Sequence, residues 1–131
     1  MSNPILIDSS FYITLLSRRM DPLAVLAEAE DLFDYAVTPV IWVEVVRGRA
    51  LTRVRDRFEA AFGRMRYIRL GGATARRASI LGWTLERTGS RIPVTDLMIA
   101  AAAIQGRMPL LTFDARFDRI PGLVTLVSLP V

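Results

Sequence analysis

Four acidic residues stand where an α/β chain tends to place its chemistry: Asp8, Glu44, Asp96 and Asp114. Asp8 ends the apolar run Pro4-Ile5-Leu6-Ile7, and Asp114 follows Leu110-Leu111-Thr112-Phe113. Glu44 and Asp96 lie inside hydrophobic, helix-like stretches, where an unpaired charge is costly. Carboxylates set against apolar segments need a compensating partner, and hard cations such as Mg²⁺ and Mn²⁺ prefer oxygen ligands. Several carboxylates within a few ångströms repel one another and raise at least one pKa unless a cation intervenes. Such an ion also lowers the pKa of a coordinated water, which can then attack a phosphorus held in line. These residue types point to metal-assisted phosphoryl chemistry that releases a 3′-hydroxyl and leaves a 5′-phosphate on the other fragment.

What the chain lacks narrows the chemistry further. It has no Cys, which excludes disulfides, thiolate catalysis and Cys-ligated zinc. It has no His, so the usual general base is missing, and so is a route through 2′-hydroxyl attack with a histidine acid–base pair. All 17 basic residues are Arg, which rules out Schiff-base chemistry and a P-loop lysine. The net charge of +4 suits contact with phosphate, which the guanidinium fork binds bidentately. An Arg-only basic set equally fits the coding bias of a GC-rich genome. No apolar run approaches the roughly 20 residues of a membrane span. The start Met1-Ser2-Asn3-Pro4 has neither a basic region nor a cleavage site, so a soluble cytoplasmic domain is expected.

The elements that must position these acids follow from the alternation of short apolar runs with longer helical patterns, the signature of βαβ units and a parallel sheet. Strand one is expected at Pro4 to Ile7, with Asp8-Ser9-Ser10 capping a helix from Phe11 to about Arg18. Asp21-Pro22 opens a second helix, whose apolar stripe is Leu23, Leu26, Ala27 and Phe33. Strand two spans Tyr35 to Val37, and Thr38-Pro39 starts a helix ending near Gly48. A charged helix from about Leu51 to Phe62 precedes strand three at Tyr67 to Leu70. A helix from Thr74 to about Arg87 ends at Gly89, and Thr95 caps another from Asp96 to Gln105, closed by Gly106. Strands four and five fall at Pro109 to Thr112 and Val124 to Leu129. With no repeat, linker or low-complexity segment, residues 1–131 read as a single domain.

In an open parallel sheet, ligands gather beyond the carboxyl ends of the strands at a topological switch point. Asp8 and Asp114 both follow strands and belong at that edge, although Asp also caps loops and helices. Asp96 falls in the first turn of its helix, where the macrodipole favours a negative charge, so it can equally be a capping carboxylate. Glu44 can turn to solvent or pair with Arg47 at i,i+3.

The motifs in order are Ile7-Asp8-Ser9-Ser10, Glu44-Val45-Val46-Arg47-Gly48, Asp96-Leu97-Met98-Ile99-Ala100-Ala101 and Thr112-Phe113-Asp114-Ala115-Arg116-Phe117. As a set, over nearly the whole chain, they resemble the PIN-domain ribonucleases, and among them the VapC-like toxins of bacterial toxin–antitoxin pairs. The resemblance implies a three-layer α/β/α sandwich with a parallel sheet of strand order 3-2-1-4-5. It implies a Mg²⁺- or Mn²⁺-dependent endoribonuclease whose acids are Asp8, Glu44, Asp96 and Asp114. Asp8 and Asp96 would be the principal metal ligands, with Glu44 and Asp114 acting directly or through water, and Thr112 would support the pocket. It further implies a homodimer and a VapB-like antitoxin whose tail covers the acidic pocket. Many relatives carry another acid where this chain has Arg116, which leaves the number of ions open.

From Arg47 to Arg69 the chain holds eight Arg and two acids. Such a density can track an RNA backbone, with Arg53, Arg57 and Arg64 as the preferred subset, or form a solvated helix face. Trp42 and Trp83 read as core or dimer-interface residues. The face carrying Phe11, Leu15 and Leu16 can pack in the core or against an antitoxin or second subunit. Two other function classes compete. A catalytically silent PIN-like module would bind RNA or protein without cleavage. A phosphoacceptor or phosphatase domain would use Asp8 as nucleophile, but the receiver type wants a lysine that is absent and the dehalogenase type wants Asp where Ser10 stands.

Overall fold

The computed structural model describes residues 3–131, so Met1 and Ser2 of the N-terminal reading lie outside the described residues. The elements run β1 (Pro4–Ile7), α1 (Ser9–Ser17), α2 (Pro22–Ala27), β2 (Asp34–Val37), α3 (Pro39–Arg47), α4 (Thr52–Arg64), β3 (Arg66–Tyr67), α5 (Gly72–Arg87), α6 (Val94–Gly106), β4 (Leu110–Leu111), a 3₁₀ helix (Ala115–Arg119) and β5 (Thr125–Leu126). All strand pairings are parallel, and the strand order is β3-β2-β1-β4-β5, as expected. Ile5, Leu6 and Ile7 are buried on both sides of β1, which is what two covering helical layers require of a central strand. The chain is a three-layer α/β/α sandwich. Helices α1 to α4 pack among themselves and α5 packs on α6, the grouping that right-handed crossovers produce when the chain leaves β1 first toward β2 and later toward β4.

The strand order fixes where a site can form. Successive connections carry the chain outward from β1 through β2 to β3, then back across to β4 and β5. β1 and β4 are therefore neighbours whose following loops diverge, and their register, Leu6 with Leu110 and Ile7 with Leu111, sets Asp8 and Thr112 side by side beyond the strand ends. Tyr12 of α1 packs edge-on against Phe58 and Phe62 of α4, which are tilted against each other. The alanine run from Ala100 to Ala103 is fully buried and lets α6 lie close against its neighbours.

Several boundaries differ from the sequence expectation. Helix α1 starts at Ser9 rather than Phe11, with Asp8 itself as the cap accepting the Ser10 N–H. Helix α2 stops at Ala27, so Phe33 lies outside it. Thr95 does not cap α6. The Leu97 N–H already bonds the Pro93 carbonyl, so the first turn contains Val94 and Thr95 and starts at the residue after the proline. Gly106 belongs to that helix, and the chain leaves it at Arg107 in a left-handed conformation (φ 52°). A Cβ at Gly106 would lie 2.5 Å from the Met108 methyl, the far end of a flexible side chain that can turn aside. Gly89 does terminate α5, at φ +84°. β3 begins one residue earlier than expected and ends at Tyr67, while β4 and β5 shrink to two residues each. The 3₁₀ helix after β4 has no counterpart in the sequence expectation.

Trp42 is half-buried against Phe62 and Tyr67, with its indole N–H on Glu59. Trp83 is not a core residue. It is 62 % exposed on α5, and the Arg87 guanidinium lies 4.8 Å above its ring. Phe11 and Leu15 are buried. Among the described residues no helix is long and apolar enough to cross a membrane.

Candidate active site

Asp8 leaves β1 in an extended conformation and is 3 % exposed. Such a carboxylate persists only with donors supplied to it. Two hydroxyls supply them: Ser10 Oγ lies 2.7 Å and Thr112 Oγ1 2.9 Å from Asp8 Oδ2. Each hydroxyl has a single proton to donate, and each also accepts a backbone N–H, Phe113 N–H on Ser10 and Asp114 N–H on Thr112, both at 3.0 Å. When both protons point at Asp8, the 3.1 Å approach of the two hydroxyls to each other is a close contact, without a proton left to join them. This clamp sews the end of β1 and the first turn of α1 to the loop after β4. Every hydrogen bond to the Asp8 carboxylate among the described residues falls on Oδ2, which leaves Oδ1 uncommitted.

Glu44 lies on α3 and is half-buried, with Oε1 accepting the Ser9 hydroxyl at 3.2 Å. It forms no ion pair with Arg47 among the described residues, although that guanidinium attracts it from a distance. Burial, with the charges of Asp8 and Asp96, pushes the Glu44 carboxyl above the ordinary carboxylate range. Asp96 is 8 % exposed in the first turn of α6. It does not cap that helix, whose N-terminus has no side-chain cap. Its carboxyl is also raised, first by burial and then by Asp8 and Asp114, against the pull of Arg116. Asp96 Oδ2 is buried without a hydrogen-bond partner. Arg116 Nη2 lies 3.2 Å away, near enough for charge attraction but without hydrogen-bond alignment.

Asp114 caps the 3₁₀ helix by accepting the Arg116 backbone N–H at 3.0 Å. The Arg116 side chain turns back onto the same carboxylate, with Nη2 at 2.7 Å and Nε at 3.0 Å from Oδ2. This pairing holds the Asp114 carboxyl below its usual range. The structure thus brings Asp8, Glu44, Asp96, Asp114 and Thr112 to the carboxyl edge of β1 and β4, close enough that the charges of Asp8 and Asp96 raise the Glu44 carboxyl and those of Asp8 and Asp114 raise that of Asp96. Among the described residues, however, no group of three or more acidic side chains is placed to hold a metal ion as a unit. The donor chemistry still fits a hard divalent ion: the donors are carboxylate oxygens, one buried oxygen lacks a donor, another is uncommitted, and burial together with neighbouring carboxylates raises the carboxyls of Glu44 and Asp96.

Arg53, Arg57 and Arg64 are not brought to this edge. They lie exposed on α4; Arg57 pairs with Asp21 at 2.8 Å, and Arg57 and Arg64 line a cavity of about 510 Å³ with Asp34 and Tyr35, the first residues of β2. That cavity opens at the amino end of the strands, opposite the acids. In the sequence Ser9 and Ser10 read as capping residues and Arg116 as a missing acid. The one signal for the serines was their place directly after Asp8.

The family model of the PIN domain matches residues 5–123. The chain is similar to VapBC2 from Rickettsia felis bound to a DNA fragment from its promoter, with 20 % identity, a TM-score of 0.77 and coverage of 94 % of this chain and 97 % of that one. It is similar to a toxin–antitoxin complex from Klebsiella pneumoniae, with 25 % identity, a TM-score of 0.70 and coverage of 92 % and 96 %. It is also similar to VapBC-5 of Mycobacterium tuberculosis, a member of the VapBC family of toxin–antitoxin systems, with 25 % identity, a TM-score of 0.65 and coverage of 95 % and 98 %. Comparison with curated protein sequences yields no match. With the fold, the strand order and a family match over most of its length in agreement, this chain belongs to the PIN domain family.

Proposed function

We propose that this chain is a metal-dependent endoribonuclease that hydrolyses RNA phosphodiester bonds as the toxin of a toxin–antitoxin pair. The observation that carries the reading is the convergence of Asp8, Glu44, Asp96 and Asp114 on one sheet edge, with Asp8 Oδ1 and Asp96 Oδ2 free of hydrogen bonds. A Mg²⁺ or Mn²⁺ ion bound there would lower the pKa of a water and offset charge on the phosphate. Asp8 and Asp96 are the residues to hold it, and Glu44 and Asp114 stand beside them to engage it directly or through water. Ser10 and Thr112 fix the orientation of Asp8 through Oδ2 and leave Oδ1 free of hydrogen bonds. Glu44, with its raised pKa, is suited to accept a proton from an attacking water.

An antitoxin partner is supported by an apolar groove of about 500 Å³ lined by Phe11, Leu15, Met20, Leu32, Phe113 and Leu129, and by the toxin–antitoxin complexes whose fold this chain shares. Ile80 and Trp83, both more than 60 % exposed on α5, are the residues a homodimer would cover. Purified protein incubated with total RNA should cleave it with Mn²⁺ and not with EDTA, leaving 5′-phosphate ends. Asp8→Asn and Asp96→Asn should each remove cleavage and keep the fold. Binding of RNA with no metal-dependent cleavage would favour a silent binding module instead.

A further inference from the structure

Among the described residues Arg116 is the one cation in ion-pair contact with any of the four acids. Its guanidinium grips Asp114 through Nε and Nη2, and the same Nη2 lies 3.2 Å from Asp96 Oδ2. One positive charge therefore serves two carboxylates contributed by different elements, α6 and the loop after β4. The service is incomplete. Asp96 Oδ2 remains buried without a hydrogen bond, because the Nη2 protons are directed elsewhere. The Arg116 side chain is also 51 % exposed, so it can leave the carboxylates for solvent without opening the core. Asp8 and Glu44 are steadied by the neutral hydroxyls of Ser10, Thr112 and Ser9 and need no such partner.

We propose that Arg116 is a built-in counter-ion that competes with a divalent cation for Asp96 and Asp114, so that the site accepts metal only as this side chain swings away. The inference rests on the metal-dependent reading given above. A guanidinium and a dication at the same two carboxylates compete, because like charges at such separations repel. Arg116 thus sets a threshold for metal: the apparent affinity is the intrinsic affinity multiplied by the fraction of molecules in which the arginine has let go. If the paired form holds about nine molecules in ten, that fraction lowers metal affinity roughly tenfold. The arginine also keeps the acidic edge from repelling itself apart while metal is absent.

The test is Mn²⁺ binding to the full chain, read from the electron paramagnetic resonance signal of free Mn²⁺, together with thermal melts in EDTA and in Mn²⁺. Arg116→Gln should bind Mn²⁺ about tenfold more tightly than the wild type. Arg116→Lys, which keeps the charge but loses the fork, should fall between them. Arg116→Gln should also melt lower than the wild type in EDTA and gain more on addition of Mn²⁺. Asp8→Asn serves as the control for the site. If the wild type binds Mn²⁺ in an Asp8-dependent way and neither Arg116 variant binds more tightly, the counter-ion role is wrong and the metal reading survives. If no protein in the series binds Mn²⁺, the metal reading itself fails and takes this inference with it.

Discussion

Replacing Thr112 with Val keeps the shape of a buried side chain and removes one hydroxyl that does two jobs. The hydroxyl donates to Asp8 Oδ2 at 2.9 Å and accepts the Asp114 N–H at 3.0 Å. A hydrogen bond to an ionised partner contributes about 1.5–3 kcal/mol, and Ser10 remains to donate to the same oxygen, so a loss near the lower end, about 2 kcal/mol, is expected. For a domain of this size that corresponds to a fall in Tm of roughly 6–10 °C. The assay is urea and thermal unfolding in EDTA for the wild type, Thr112→Val, Asp8→Asn and the double variant. Because about half of the loss runs through the Asp8 charge, Thr112→Val should cost about 1 kcal/mol less in the Asp8→Asn background. Thr112→Ser should recover most of the stability. A Thr112→Val variant within about 0.5 kcal/mol of the wild type would refute the clamp, since surface-like substitutions fall in that range. So would the same loss with Asn at position 8.

Glu44 and Asp96 bind protons more tightly in the folded chain than in the unfolded one, so the metal-free protein should become more stable as the pH falls from 7 toward about 4, the unfolded carboxylate range. Below that range Asp21 and Asp114, held low by Arg57 and Arg116, lose their pairs on protonation and stability should fall. Urea midpoints in EDTA at pH 5 and 7 check the sign; a higher midpoint at pH 7 would contradict it, and Glu44→Gln with Asp96→Asn should flatten the difference. Arg53→Gln with Arg57→Gln should weaken RNA binding and shrink the salt slope by about 1.4, the change expected for two lost contacts to a single strand. An unchanged slope across a salt titration would remove this face of α4 from the account. Asp8→Asn should abolish cleavage without lowering RNA affinity comparably, as filter binding and cleavage assays run side by side would show.

The parts of the fold legible in the sequence are those written locally. Pro4 to Ile7 reads as a strand because its apolar run is short and continuous, and Asp21-Pro22 and Thr38-Pro39 read as helix starts because cap and proline stand together; all three form as expected. The strand order came from the resemblance, and the burial of β1 on both sides agrees with it. What was not legible depends on groups far apart in the chain. Ser10 follows Asp8 and looks like an ordinary capping residue, and nothing nearby shows that Thr112, 102 residues on, completes its clamp. Arg116 registers in the sequence as a missing acid, and only the 3₁₀ helix, too short to leave a periodic pattern, turns its side chain back over Asp114 and Asp96. Arg53 and Arg57 share a helix face by spacing, but spacing does not say which end of the sheet that face serves. The Asp21 that pairs with Arg57 lies 36 residues away.

The claim on which all else depends is that these carboxylates hold a divalent cation between them. A crystal of the full chain grown with Mn²⁺ and measured at the manganese absorption edge tests it directly. The anomalous map should show a peak bounded by Asp8 and Asp96, with the Arg116 guanidinium withdrawn from Asp96. A map with no peak at saturating Mn²⁺, and Arg116 still seated across Asp96 and Asp114, would contradict it.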